Sequence, residues 1–205
     1  MSTSTYYPPI IGINGDFECG KDAVGSILVR TYGYTRVAFG DFVKDTCLQF
    51  VSGRTYPSDF PDDIQKIILK HCNDACAVIR KPTSPEIRRL LQFVGTDYYR
   101  KKDPDYWVRV FDAYARPILQ AGGRVVAPDM RFDNEGAYVK ECRGAEWQVI
   151  RPGLSDSSQR EHRSERAYTR TPAVVIRNDG PLDLLNSRVI EALQTTQALH
   201  LGQAA

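Results

Sequence analysis

Gly15-Asp16-Phe17-Glu18-Cys19-Gly20-Lys21-Asp22 stands between the apolar run Ile10–Ile13 and a stretch that reads as a helix start. A Gly-x4-Gly-Lys loop in that setting has the parts a triphosphate site requires. The glycines let successive backbone N–H groups turn inward, the helix N-terminus is electropositive, and Lys21 can reach the β- and γ-phosphates. Gly15, Gly20 and Lys21 are therefore candidate phosphate ligands, and Lys21 is the first candidate catalytic cation. Asp22 stands where Ser or Thr is usual, and its carboxylate could hold Mg²⁺ directly or through water. A ligand-free Gly-rich turn is the plainer alternative.

Three further segments carry chemistry. In Arg88-Arg89-Leu90-Leu91-Gln92-Phe93-Val94-Gly95, helical spacing puts Ile87, Leu90, Leu91 and Val94 on a buried stripe. Arg88, Gln92 and Gly95 run along the neighbouring one: a guanidinium for a monophosphate, an amide for a base edge, and a position with no side chain for a close-packed ring. A solvated polar face is the other reading. Asp129 and Arg131 follow the apolar strand Arg124–Ala127, where ligands sit in open α/β sheets. The acid is a candidate Mg²⁺ holder and the arginine a candidate phosphate neutraliser, while Asp133 and Asn134 are expected to cap the next helix. Finally, Arg160, Arg163, Arg166 and Arg170 fall within about a third of a helix circumference. That pattern suits either a cationic lid over a transferred phosphoryl group or a solvated helix.

The elements that must position these residues alternate. Strands are expected at Ile10–Ile13, Tyr34–Phe39, Arg124–Ala127, Glu146–Ile150 and Ala173–Ile176. Helices are expected at Lys21–Thr31, Asp41–Val51, Asp63–Ile79, Pro85–Asp97, Pro104–Ala121, Asp133–Cys142 and Leu182–Leu199. Strands separated by helices argue a central parallel sheet covered on both faces. A length of 205 residues with 42% hydrophobic content suits one domain with insertions. A net charge of +2 gives no sign of direct nucleic-acid binding. No apolar run nears the ~20 residues of a membrane helix, and no secretory signal precedes Ile10, so a soluble cytoplasmic protein is expected. Cys72 and Cys76 beside His71 lack two further zinc ligands nearby, which favours plain thiols over a metal site.

Taken in order, these segments resemble the phage-type deoxynucleoside monophosphate kinases of the P-loop nucleoside monophosphate kinase group. The likeness runs from about Ile10 to about Leu193. It is carried by the Gly-Lys-Asp loop, Phe39-Gly40-Asp41-Phe42-Val43-Lys44, Arg88-Arg89-Leu90-Leu91-Gln92 with Gly95-Thr96-Asp97, and Tyr106-Trp107-Val108. Pro128-Asp129-Met130-Arg131, Val149-Ile150-Arg151-Pro152-Gly153, His162 with Glu165, and Ile176-Arg177-Asn178-Asp179-Gly180 complete it.

The resemblance implies a three-layer P-loop kinase domain, with a helical monophosphate-binding region at 52–121 and a lid at 152–171. It implies transfer of the ATP γ-phosphate to a deoxynucleoside 5′-monophosphate with Mg²⁺, supplying DNA precursors, in the host cytoplasm if the chain is phage-encoded. Gly20, Lys21, Asp22 and Ala23 would hold the ATP phosphates, and Asn178 would lie near the adenine. Lys44, Arg88, Gln92, Gly95, Trp107, Asp129 and Arg131 would surround the monophosphate. Asp22 and Asp129 are the candidate metal holders and Lys21, Arg131, Arg163 and Arg166 the candidates for the transfer itself, and the resemblance leaves open which of the two lid arginines enters. Asp16, Phe17 and Glu18 depart from the basic residues relatives carry there, so contacts made by those basic groups are lost. The expected partners are the two nucleotides, with no membrane and with room for a homodimer. A dephospho-coenzyme A kinase-like enzyme and a non-catalytic nucleotide-binding protein are the alternatives.

Overall fold

The computed structural model describes residues 7–153 and 168–203. The chain forms two compact units, one of Met1–Ala38 with Phe111–Ala205 and the other of Phe39–Val110.

The first unit holds a parallel sheet of β1 (Ile10–Gly15), β2 (Tyr34–Arg36), β3 (Arg124–Ala127), β4 (Ala145–Ile150) and β5 (Val174–Arg177). Their spatial order is β2-β3-β1-β4-β5. β1 is central, with Ile11 level with Val126 on one side and Ala145 on the other. Ile10, Ile11 and Ile13 have no exposed surface, as a strand covered on both faces requires. Ile11, Ile13, Trp147 and Val149 pack with Leu28 of α1 (Lys21–Tyr32) and Val189 of α7 (Leu182–Gln203). Burying each such side chain contributes about 1.5–3 kcal/mol. The Trp147 indole N–H, buried in that layer, donates to Thr196 Oγ1 at 3.1 Å. α6 (Asp133–Glu141) also packs on the sheet, and Phe111 of α5 (Tyr106–Gln120) meets its Tyr138 edge-on at 5.7 Å. No helix among the described residues is long and apolar enough to cross a membrane.

The second unit contains α2 (Phe39–Gly53), α3 (Asp62–His71), a 3₁₀ turn at Ala75–Val78, α4 (Pro85–Gln92) and a π-helix at Phe93–Arg100. Phe60 anchors it, edge-on to Phe50, Phe93 and Tyr98 at 5.5, 5.0 and 4.7 Å. Ser84 Oγ accepts the Ile87 N–H at 3.3 Å, and Pro85 follows with its φ preset, so α4 starts where the sequence places it.

Three expected elements change, one of them the helix read over Pro85–Asp97, which is α-helical only to Gln92 and continues as the π-helix. The strand read to Phe39 stops at Arg36, because Phe39, Cys47 and Val51 form one buried helical face and Phe39 opens α2. The helix read over Asp63–Ile79 ends at His71, and Asp74 takes a paired ion contact from Arg80 at 3.0 and 3.1 Å instead of continuing the helix. Cys72 and Cys76 therefore do not share a helix face. All five cysteines are free thiols, and no group of three His, Cys, Asp or Glu among the described residues is placed to hold a metal.

Candidate functional site

Because every strand runs the same way, the turns after β1, β3 and β5 lie at one edge of the sheet. That edge carries Gly15–Gly20, Asp129 with Arg131, and Asn178. The loop after β1 reaches α1 through Gly20, whose φ of 105° is open to glycine and strained for other residues. Gly20 is also the helix N-cap, and with no side chain it leaves the first-turn amides of Lys21, Asp22 and Ala23 without a side-chain acceptor. These are the donors an anion at a helix start uses. Lys21 folds back across the loop, its Nζ donating to the Gly15 and Asp16 carbonyls at 2.6 and 2.5 Å. The ammonium is thus held at the loop. Beneath it, burial pushes the Cys19 thiol above its ordinary pKa despite the nearby Lys21 charge. Cys19 therefore adds no negative charge to the loop. Asp16, Phe17, Glu18 and Asp22 are exposed.

The turn after β3 is tied to β1 from both sides. Met130 N–H donates to the Ile13 carbonyl at 3.1 Å, and Asn14 Nδ2 to the Met130 carbonyl at 2.9 Å. Pro128 lies against α1 at Gly25, where an added Cβ would come within 3.1 Å of it. Asp22 sits one turn earlier on the same helix, so the structure brings Asp22 and Asp129 to the same stretch of the edge. Their carboxylate oxygens, with Asp22 exposed and Asp129 half-buried, fit a hard cation that keeps waters and phosphate oxygens.

The cap of α6 differs from expectation. Phe132 is the N-cap and Asp133 the first helical residue. The buried Glu135 carboxylate reaches back to accept the Arg131 and Phe132 N–H groups at 2.7 and 3.1 Å. Glu135 thereby fixes the backbone that presents the exposed Arg131. Sequence reasoning passed over it, although a Glu three residues after a helix cap was the available signal. The Asp133 carboxylate instead takes the Thr169 N–H and hydroxyl at 2.7 and 2.5 Å.

In the second unit Arg88 and Gln92 lie four apart on α4, both half-buried. Arg89 is pulled the other way, toward Asp63 and Asp97 at 3.5 and 3.4 Å, so Arg88 keeps the stripe shared with Gln92. Gly95 falls in the π-helix, where its carbonyl accepts the Trp107 indole N–H at 2.8 Å. An added Cβ on Gly95 would lie 3.2 Å from Val43, so the space beside it belongs to α2. Trp107 is only 2% exposed and supports the π-helix from beneath. Lys44, next to Val43, is half-buried and pairs with Asp41 at 3.4 Å.

Arg163 and Arg166 lie outside the described residues, as does most of the segment read as a lid. Its far end is described and differs from the helical reading. Tyr168 and Thr169 are not helical, and Arg170 makes a paired contact with the buried Glu146 of β4, at 2.7 Å to each oxygen. Arg170 therefore does not belong to a cationic helix face. Tyr168 also donates to Glu146 at 2.5 Å; burial and that carboxylate push the phenol well above its ordinary pKa.

A parallel sheet whose first strand leads through a Gly-x4-Gly-Lys loop into a helix defines a P-loop kinase fold. The family model for deoxynucleotide monophosphate kinase matches residues 53–189, and the chain belongs to that family. A protein of Acanthamoeba polyphaga mimivirus, provisionally named a deoxynucleotide monophosphate kinase, is 21% identical over 208 residues, spanning 93% of this chain and 99% of its own. Similar solved structures include TT1252 from Thermus thermophilus, at 18% identity and TM-score 0.47, and the dephospho-CoA kinase of Campylobacter jejuni, at 11% and 0.39. Each covers 92% of this chain and 97% of its own. The chain is a nucleotide kinase, and ATP is the phosphoryl donor its family implies.

Proposed function

We propose that this kinase transfers the γ-phosphoryl group of ATP to a deoxynucleoside 5′-monophosphate, giving ADP and the deoxynucleoside diphosphate used as a DNA precursor. The observation that carries the reading is the uncapped start of α1 behind Gly20, with the Lys21 ammonium held over the loop, in a chain of this family. The first unit is the donor side. Gly15, Gly20 and the amides of Lys21, Asp22 and Ala23 bind the β- and γ-phosphates, and the turn at Asn178 borders the nucleoside. The second unit is the acceptor side. Arg88 and Lys44 hold the monophosphate, Gln92 reads the base edge, and Trp107 fixes Gly95 as a positioning residue.

In the transfer an acceptor phosphate oxygen bonds to the γ-phosphorus while the bond to the β–γ bridging oxygen breaks. Lys21 and Arg131 offset the charge that spreads over the transferred group. Asp22 and Asp129 would hold Mg²⁺, which when bound would supply positive charge against the phosphates. Arg163 and Arg166 are proposed to assist the transfer, so alanine at either should lower kcat more than it weakens ATP binding.

The test is ADP formation from ATP with deoxynucleoside monophosphates and dephospho-coenzyme A, each at equal concentration. Turnover with one or more deoxynucleotides supports the proposal. Turnover with dephospho-coenzyme A alone, or nucleotide binding without turnover, would refute it.

A further inference from the structure

Asn178 does more than occupy the turn after β5. Its backbone N–H donates to the Ile150 carbonyl at the end of β4, at 2.8 Å. The next residue, Asp179, is tied to Arg188 of α7 at 2.6 Å. From this braced position the Asn178 carboxamide donates to the Cys19 carbonyl at 2.9 Å, crossing from the last strand to the loop after the first. The carbonyl it holds belongs to the Cys19–Gly20 peptide. In a trans peptide the C=O and the following N–H point in opposite directions. Fixing the Cys19 carbonyl toward Asn178 therefore aims the Gly20 amide away from Asn178. The approach also explains the residue type at position 20. A Cβ there would stand 2.4 Å from Asn178 Nδ2.

We propose that Asn178 is a positioning residue for the phosphate loop, preorganising the Cys19–Gly20 peptide for a polyphosphate whatever base the nucleotide carries. The inference rests on the phosphate-loop reading above. It differs from an adenine contact in one measurable respect: the effect of Asn178 follows the phosphates and not the base. The energy involved is that of one hydrogen bond plus the ordering of a loop, so the expected change in affinity is about tenfold.

Calorimetric titration of wild type, Asn178→Ala and Asn178→Asp with ATP, GTP, tripolyphosphate and adenosine tests this. Both variants should bind ATP and tripolyphosphate about tenfold more weakly. The ATP-to-GTP ratio should stay constant and any adenosine binding should be unchanged. Asn178→Asp should be the worse, because a carboxylate then faces the Cys19 carbonyl. Amide exchange on the ligand-free protein adds a readout that general damage would not reproduce. The Gly20–Val24 amides should exchange faster in Asn178→Ala while β1, β3 and α6 keep wild-type protection. Should both variants unfold, Asn178→Ser, with a shorter hydroxyl donor, takes their place and should lie between alanine and wild type in its expected loss. Equal tripolyphosphate binding by variant and wild type would overturn the proposal, as would a loss confined to adenine-bearing ligands. Failure of wild type to bind ATP or tripolyphosphate would instead overturn the phosphate-loop reading itself.

Discussion

Gly95→Ala separates two explanations for a glycine in the acceptor unit. The added Cβ would sit 3.2 and 3.3 Å from the two Val43 methyls, closer than side chains ordinarily pack, so Val43 must give by a few tenths of an ångström. Overpacking of this kind costs about 1–3 kcal/mol. Replacing Gly by Ala in a helical segment returns about 1 kcal/mol. The net destabilisation is therefore about 0–2 kcal/mol, and each 1 kcal/mol lowers Tm by about 2–4 °C in a domain of this size. The functional effect should arrive through α2, since the residue after Val43 is Lys44. The apparent KM for the deoxynucleoside monophosphate should rise several-fold while that for ATP stays within twofold, an order-of-magnitude expectation for a disturbance confined to one substrate. Val43→Ala opens the space, so the double variant should regain acceptor KM and be more stable than the two single effects predict, with a coupling of about 0.5–2 kcal/mol. Thermal denaturation and coupled ADP-release kinetics on the four proteins supply all the values. Additive stabilities, or an acceptor KM that stays raised in the double variant, would refute the reasoning and mean that Gly95 faces the substrate directly.

Lys21→Ala should lose about 10²-fold or more in kcat with its melting transition intact, because the ammonium contributes charge at the loop and little packing; near-normal turnover in the folded variant would remove the triphosphate assignment. Arg88→Ala should raise the monophosphate KM strongly and the ATP KM little, and Gln92→Glu should reorder the base preference in a substrate panel; equal effects on both substrates would make α4 purely structural. Glu146→Ala should cost about 3 kcal/mol in urea denaturation, since it leaves Arg170 and Tyr168 without the carboxylate they share in a largely buried place. Asp133 supplies a pH test. Burial raises its pKa, but the hydrogen bonds from Thr169, together with the Arg170 amide and the Arg170 charge, outweigh that and hold the carboxyl below its ordinary value. The unfolded chain then takes up the proton first, so this stability is present above about pH 4 and is lost as pH falls through the folded-state pKa. Asp133→Asn should flatten that acid slope and leave the curve near pH 7 shape unchanged; an identical acid slope would count against the Thr169 contact.

The sheet and the phosphate loop were legible because buried parallel strands are short apolar runs and glycines punctuate them. β1, α1 and β3 fall within two residues of their expected bounds, and the Arg88 and Gln92 stripe lies on a real helix. Extending that stripe to Gly95 assumed α-helical rotation, whereas the chain widens to a π-helix at Phe93 and a Cβ on Gly95 would meet Val43. Phe39 has the same apolar signal whether it ends a strand or opens a helix, and only its partners Cys47 and Val51 decide. Arg170 looked like part of a cationic face because its partner Glu146 lies on another strand, beyond the reach of helical periodicity. Glu135 was a missed capping pattern.

The order of strands in space has a consequence for how the protein is made. β1 and β2 leave the ribosome before β3, yet they are never neighbours: β3 lies between them. The contiguous unit Phe39–Val110 emerges complete before β3 exists. The nascent chain therefore carries the apolar β1 and the short β2 without their shared partner throughout synthesis of that unit, a state prone to mispairing. Ribosome-stalled chains in which Val110 but not Arg124 has cleared the exit tunnel should show protease resistance in Phe39–Val110 and ready cleavage near Tyr34. Resistance at Tyr34 should appear only once Arg124–Ala127 has been added and has cleared the exit tunnel.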